Sequence, residues 1–104
     1  MKTIRCHQIN DDISTITLDE VDIAPPNAGE IQIRVMACSV NFPDVLMIQG
    51  KYQFSPPLPF APGGEFAGEV VAVGPGVNQF KLGDSVLAGT RYGGFSELVN
   101  AEVQ

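Results

Sequence analysis

The amino-acid sequence predicts a mostly β domain, a partly open β-barrel with one or two short helices. Three observations carry that expectation. Short β-branched and apolar runs are separated by glycine and proline turns along most of the chain. Ile31, Ile33 and Val35 alternate with Gln32 and Arg34, the period-two pattern of a strand with one covered face. Only the stretch after Asn41 carries helix signals at both its ends. The 104 residues suffice for one domain with its own core, and residues 1–104 are read as a single unit.

Taken in order, Lys2 to Ile9 and Ile13 to Leu18 are expected as two strands. Asn10, Asp11 and Asp12 supply turn chemistry between them, because short polar side chains bond their own backbone. Pro25 and Pro26 rule out a helix in the extended segment that follows. Beyond the alternating strand, the run Met36 to Val40 is apolar throughout, which predicts cover on both faces. At Asn41 the pattern changes. Asn41 or Phe42 can cap a helix, Pro43 suits its first turn, and Asp44 is favourable at the positive end of the macrodipole. Val45 to Ile48 make this helix apolar nearly all round, and Gly50 is placed to stop it. Pro56, Pro57, Pro59 and Pro62 make the crossing from Tyr52 to Gly64 an extended, rigid loop. Glu65 to Val73 and Asp84 to Ala88 read as strands, with Gly74-Pro75-Gly76 turning the first of them. Gly93-Gly94 opens a last strand through Val99.

Twelve acidic side chains face six basic ones, for a net charge of −6. That balance argues against nucleic acid or an anionic membrane surface as partner, since no basic patch is available to meet phosphates. No apolar run approaches the ~18 residues of a membrane span, and MKTIRCHQIN lacks a signal peptide's apolar centre. Cys6 and Cys38 stand among hydrophobic residues without a cysteine framework, which favours free thiols in a reducing compartment. A cytoplasmic location is the expectation.

Catalytic zinc needs three protein ligands. The single histidine, His7, adjoins Cys6 on an expected strand, where neighbouring side chains point to opposite faces, so no metal is expected. Gly74-Pro75-Gly76 lacks the third glycine of a dinucleotide fingerprint, and Glu69 stands where the span Gly63 to Gly68 would need lysine to be a P-loop. Cys38 has no histidine in reach, and apolar surroundings raise a thiol pKa, so packing is its expected role. Asn41, Asp44, Tyr52 and Glu65 remain. Asn41 reads as a helix cap or as an amide donor at a strand-to-helix corner. Asp44 reads as an acid of the first helical turn. Tyr52 reads as a cleft hydroxyl or as a lid aromatic, and Glu65 as a buried group needing Arg34 or Arg91 as partner.

Val40-Asn41-Phe42-Pro43-Asp44, Gly50-Lys51-Tyr52, Pro62-Gly63-Gly64-Glu65-Phe66-Ala67-Gly68 and Gly83-Asp84-Ser85-Val86 together carry a resemblance. The chain resembles the N-terminal, GroES-like domain of the medium-chain dehydrogenase/reductase superfamily. Within it, the zinc-free quinone oxidoreductases of the zeta-crystallin-like branch are most similar, with enoyl reductases nearby. The resemblance implies a GroES-like barrel and hydride transfer from NADPH to a small-molecule quinone or activated enone. Gly64 stands where the zinc dehydrogenases carry a histidine and Asn41 where they carry a cysteine, so a zinc-free site is implied. Positions matching Asn41, Phe42, Asp44 and Tyr52 would line the cleft beside the nicotinamide, with Asn41 and Tyr52 as hydrogen-bond donors to the reacting oxygen.

In that family a Rossmann domain follows and holds the cofactor's phosphates, whereas this chain stops at Gln104, near where the crossing would begin. The expectation is therefore a substrate-side domain without reductase activity of its own. The full-length reductase is implied to be a homodimer, and the isolated domain is expected to self-associate through an uncovered apolar face. A non-catalytic binding or assembly module on the same barrel is the competing reading, as are an enoyl-thioester reductase and a zinc dehydrogenase.

Overall fold

A computed structural model describes residues 1–103. Strand β1 (Lys2–Arg5) pairs antiparallel with β2 (Thr17–Glu20), from Lys2 opposite Glu20 to Arg5 opposite Thr17. Between them the chain does not run straight into a strand as the sequence suggested. Asn10 Oδ1 accepts from the Asp12 N–H at 2.9 Å, and Asp12 Oδ1 accepts from the Ser14 N–H at 3.0 Å. These side-chain bonds divert the backbone from ladder pairing and set a 3-10 turn over Ile13–Thr15. The first strand likewise ends at Arg5 instead of reaching Ile9.

Strand β3 (Glu30–Cys38) lies between β4 (Glu65–Val73) and β6 (Leu98–Glu102), and β5 (Ser85–Gly89) flanks β4. The order is β5-β4-β3-β6 with every pairing antiparallel. The alternation seen in the sequence has its expected result: Ile31 and Ile33 are buried with Phe66, Val70, Val99 and Ala101 in one core. The expected cover on both faces of Met36 to Val40 is not found. Met36 is 68% exposed and Val40 72% exposed. Register shifts between Val35 and Ala37 break the ladder to β4, and β6 pairs with β3 only as far as Arg34. The strand therefore leaves its two-sided neighbourhood where its sequence turns uniformly apolar.

Two open sheets result, without barrel closure among the described residues. Single bridges from Thr3 to Ser96 and from Cys6 to Phe60 tie the hairpin to the rest. The last strand begins at Leu98, later than the glycine pair suggested, because Gly93 and Gly94 serve another purpose. Their N–H groups donate to Ala61 O at 2.7 Å and Gly63 O at 2.9 Å, fastening the loop before β6 onto the proline crossing.

Helix α1 (Phe42–Gln49) is capped at Asn41 and stopped by Gly50 in the left-handed region at φ 72°. Met47 and Ile48 pack with Cys6 and Phe60 into a second, smaller core. Tyr52, Phe54 and Tyr92 lie against it. The helix start, the proline crossing and the loop after β5 thus meet along one side of the molecule.

Candidate functional site

A cleft of about 640 Å³ opens where these three segments meet. Asn41, Asp44, Tyr52, Glu65, Thr90 and Arg91 are among the residues lining it. Each is placed for a local reason. Asn41 occupies the N-cap with extended backbone at φ −120° and ψ 164°, at the corner between β3 and α1. Its amide nitrogen donates to Ser39 Oγ at 3.0 Å and to Glu65 Oε1 at 3.3 Å.

Asp44 is more deeply embedded than a first-turn acid need be, with 3% of its surface exposed. Its Oδ2 accepts from the Asn41 N–H at 2.8 Å, one half of a capping box. Its Oδ1 accepts from the Gly63 N–H at 3.1 Å, across the cleft floor. Both carboxylate oxygens are thereby spent on backbone donors. The structure places Asp44 as the clamp that holds helix and proline crossing together, beneath the surface a ligand would touch.

Tyr52 is half-buried, its ring against the second core and its side chain on the cleft wall. Phe42, though adjacent to Asn41, is 73% exposed and lies outside the cleft lining. Three of the four positions grouped from the sequence thus converge, and the fourth points elsewhere.

Glu65 is exposed instead of buried, and neither arginine named as its partner meets it. Arg34 pairs with Glu69 at 3.2 Å. Arg91 lies over the Phe54 ring, its guanidinium carbon 4.6 Å from the centroid. Glu65 is exposed on the cleft lining as the first residue of β4, where it accepts from the Asn41 amide.

Thr90, Arg91 and Phe54 went unnoticed as lining residues in the sequence. A lone arginine between Gly89 and Gly93, after a strand, was the available signal. Thr90 is fixed by donating its N–H to Gly64 O at 2.7 Å and its hydroxyl to Tyr92 O at 2.9 Å. Phe54 stacks on Tyr92 with centroids 6.0 Å apart, which gives Arg91 a rigid aromatic seat.

The thiols behave as packing groups. Burial raises the Cys6 pKa above its ordinary value, and burial followed by the Asp44 charge does the same for Cys38. His7 is exposed, and its Nε2 meets Asp19 Oδ2 at 2.6 Å, beside Arg5 Nε at 2.8 Å from the same oxygen. Arg5 first, then His7 and Thr17, hold the Asp19 carboxyl down to about 2. Among the described residues no cluster of three or more His, Cys, Asp or Glu side chains could hold a metal ion. None of the described helices is long and apolar enough to cross a membrane.

Open antiparallel sheets around a capped helix, with a polar cleft at the helix start, define a GroES-like domain of the alcohol dehydrogenase type. The chain belongs to the alcohol dehydrogenase GroES-like domain family, matched over residues 27–104, and to the quinone oxidoreductase branch of the medium-chain dehydrogenase/reductase superfamily. It is 40% identical over 82 residues to mouse quinone oxidoreductase-like protein 2, covering 79% of this chain and 23% of that protein. It is 49% identical over 74 residues to the rat synaptic vesicle membrane protein VAT-1 homolog, covering 71% of this chain and 18% of that protein. Escherichia coli quinone oxidoreductase, solved in complex with NADPH, superposes with a TM-score of 0.86 at 34% identity, covering 96% of this chain and 30% of that one. The chain therefore spans less than a third of the length of these relatives.

Proposed function

We propose that this chain forms the substrate side of an NADPH-dependent oxidoreductase that reduces a quinone or activated enone without zinc. The observation that carries the reading is the convergence of Asn41 and Tyr52 on one cleft whose floor is fixed by the Asp44 clamp. The kinship with quinone oxidoreductases supports an oxidoreductase parent, and the NADPH bound to the Escherichia coli relative supports the cofactor.

The donor set suits the nicotinamide end of NADPH and not its phosphates. A neutral amide at Asn41 and a phenol at Tyr52 match a carboxamide-bearing ring and a carbonyl oxygen. Neither glycine-rich stretch forms a phosphate cradle here. The Gly74 N–H donates to Glu30 O at 2.7 Å within a strand turn, and Gly68 is pressed onto the Arg34 carbonyl between β3 and β4. Zinc is disfavoured by space as well as by ligands. A Cβ on Gly64 would sit 2.9 Å from Thr90 O, so a histidine there would have to push the clasped loop aside.

When bound, NADPH supplies a hydride to the acceptor. Asn41, on exchanging its 3.3 Å contact with Glu65, and Tyr52 orient the acceptor and donate hydrogen bonds to its oxygen as negative charge develops there. Tyr52, or a water beside it, delivers the proton. Asp44 acts through Asn41 and Gly63 by holding the donors in place. The two free cysteines suit a reducing, cytoplasmic setting.

The test is steady-state kinetics on the protein carrying this domain together with its dinucleotide-binding domain. Asn41→Ala and Tyr52→Phe are each expected to lower kcat/KM by about 10–1000-fold, the range for losing one donor to a developing oxyanion or one proton-transfer group. Unchanged turnover in both variants would remove these residues from the chemistry. Absence of any NADPH oxidation by quinones or enones would leave the binding-module reading in its place.

A further inference from the structure

We propose that Arg91 makes the cleft selective for acceptors bearing a carboxylate, so that the preferred substrate is an α,β-unsaturated carbonyl compound with an anionic group near the reacting carbons. This rests on the substrate-side reading above and adds the charge of the substrate to it.

The argument begins with charge. The chain is strongly acidic, and its other cleft-lining charges are carboxylates: Asp44, consumed by two backbone donors, and Glu65, which accepts from Asn41. Arg91 is the cation of that lining. Arg5, Arg34 and Lys51 each face a carboxylate, at 2.8, 3.2 and 3.3 Å, whereas Arg91, like Lys2 and Lys81, has no ion-pair partner among the described residues, and of these three it alone lines the cleft. It shares the cleft with Glu65 without pairing to it.

Geometry completes the case. The Arg91 guanidinium lies 4.6 Å over the Phe54 ring, and Phe54 in turn stacks on Tyr92, whose ring also approaches Phe60 edge-on with centroids 6.2 Å apart. That cation–π contact consumes none of the N–H donors, which are the part of a guanidinium that matches a carboxylate in bidentate fashion. The base of the residue is equally fixed, since Thr90 donates to Gly64 O and Gly93 to Ala61 O on either side of it. A pre-set, unpaired guanidinium on the wall that also holds Asn41 and Tyr52 can hold one end of a substrate while those two address its carbonyl.

An isosteric ligand pair tests this on the 104-residue chain, by following backbone amide signals in an NMR titration. The probes are trans-cinnamate, trans-cinnamamide and inorganic pyrophosphate. Cinnamate is expected to shift the Thr90, Arg91 and Gln53 amides and to bind about three- to fivefold more tightly than cinnamamide, the increment of one charge-assisted contact at an exposed guanidinium. Arg91→Gln should remove that preference and Arg91→Lys should keep part of it. If both ligands bind in the cleft with equal affinity, or if Arg91→Gln leaves the preference intact, the inference fails while the substrate-side reading stands. If neither binds, the inference fails, and the substrate-side reading is decided by the kinetics of the Asn41→Ala and Tyr52→Phe variants. If pyrophosphate moves the Arg91-dependent signals and cinnamate does not, Arg91 serves the cofactor's phosphates and the carboxylate assignment is wrong.

Discussion

Replacing Asp44 by alanine removes the acceptor of two backbone N–H groups that belong to different parts of the fold. The Gly63 N–H is buried, and without Oδ1 at 3.1 Å it has no replacement partner and little access to water. An unsatisfied buried donor costs about 1–3 kcal/mol. The Asn41 N–H at 2.8 Å is partly solvent-accessible, so its loss resembles removal of a helix cap, about 1 kcal/mol. Together these give about 3 kcal/mol, a large share of the stability of a domain this size. At roughly 4–8 °C per kcal/mol, the thermal midpoint should fall by about 12–24 °C.

Asp44→Asn keeps the shape and one acceptor but turns an NH2 group toward the second donor, so about half that loss is expected. Phe42→Ala, two residues away and 73% exposed, should stay within about 0.5 kcal/mol of the parent. Urea unfolding followed by circular dichroism gives all three values on one scale. The Gly63 amide shift reads the broken bond directly in whichever variant remains folded. An Asp44→Ala variant within about 0.5 kcal/mol of the parent would refute the clamp, and with it the account of how the cleft floor is held.

Two further outcomes follow from the ionisable groups. Asp19 titrates at about 2 when folded against an ordinary 3.8, so it stabilises the fold above pH 3.8 and loses that contribution as the pH falls toward 2. The difference in thermal midpoint between the parent and Asp19→Asn should therefore be full at neutral pH and shrink below pH 3.8; a constant difference would contradict the pairing with Arg5 and His7. Because burial raises both thiols, and Asp44 raises Cys38 further, a disulfide reagent at neutral pH should label the folded chain more slowly than it labels free cysteine. Labelling of Cys38 faster than free cysteine would mark it as an activated thiol instead of a packing residue.

Some of this molecule is written locally. The alternation of Ile31, Ile33 and Val35 contains the buried face of β3, because a pleated strand turns every second side chain the same way whatever surrounds it. Asn41, Pro43, Asp44 and Gly50 mark both ends of α1 because capping, proline's fixed φ and glycine's left-handed freedom act within one turn of backbone. The resemblance carried by Val40 to Asp44 and Gly50 to Tyr52 likewise singled out Asn41 and Tyr52, both of which line the cleft.

Other features depend on partners distant in the chain. Asn10 and Asp12 were legible as turn formers, but not their ability to convert the start of an expected strand into a 3-10 turn. The apolar run after Met36 looked covered, since a string of apolar residues records what could be buried and not whether a neighbour arrives to bury it. Asp44 reaches Gly63 only because the proline crossing folds back over the helix start, and Glu65 is left exposed by the same path. Arg91 carries the same charge as Arg34, yet one pairs with Glu69 across two strands and the other lies on Phe54 without a counter-ion. Backbone conformation is set over a few bonds and can be read from neighbours in sequence. Burial, charge pairing and membership of a cleft are set by through-space packing, and those the tertiary structure alone decided.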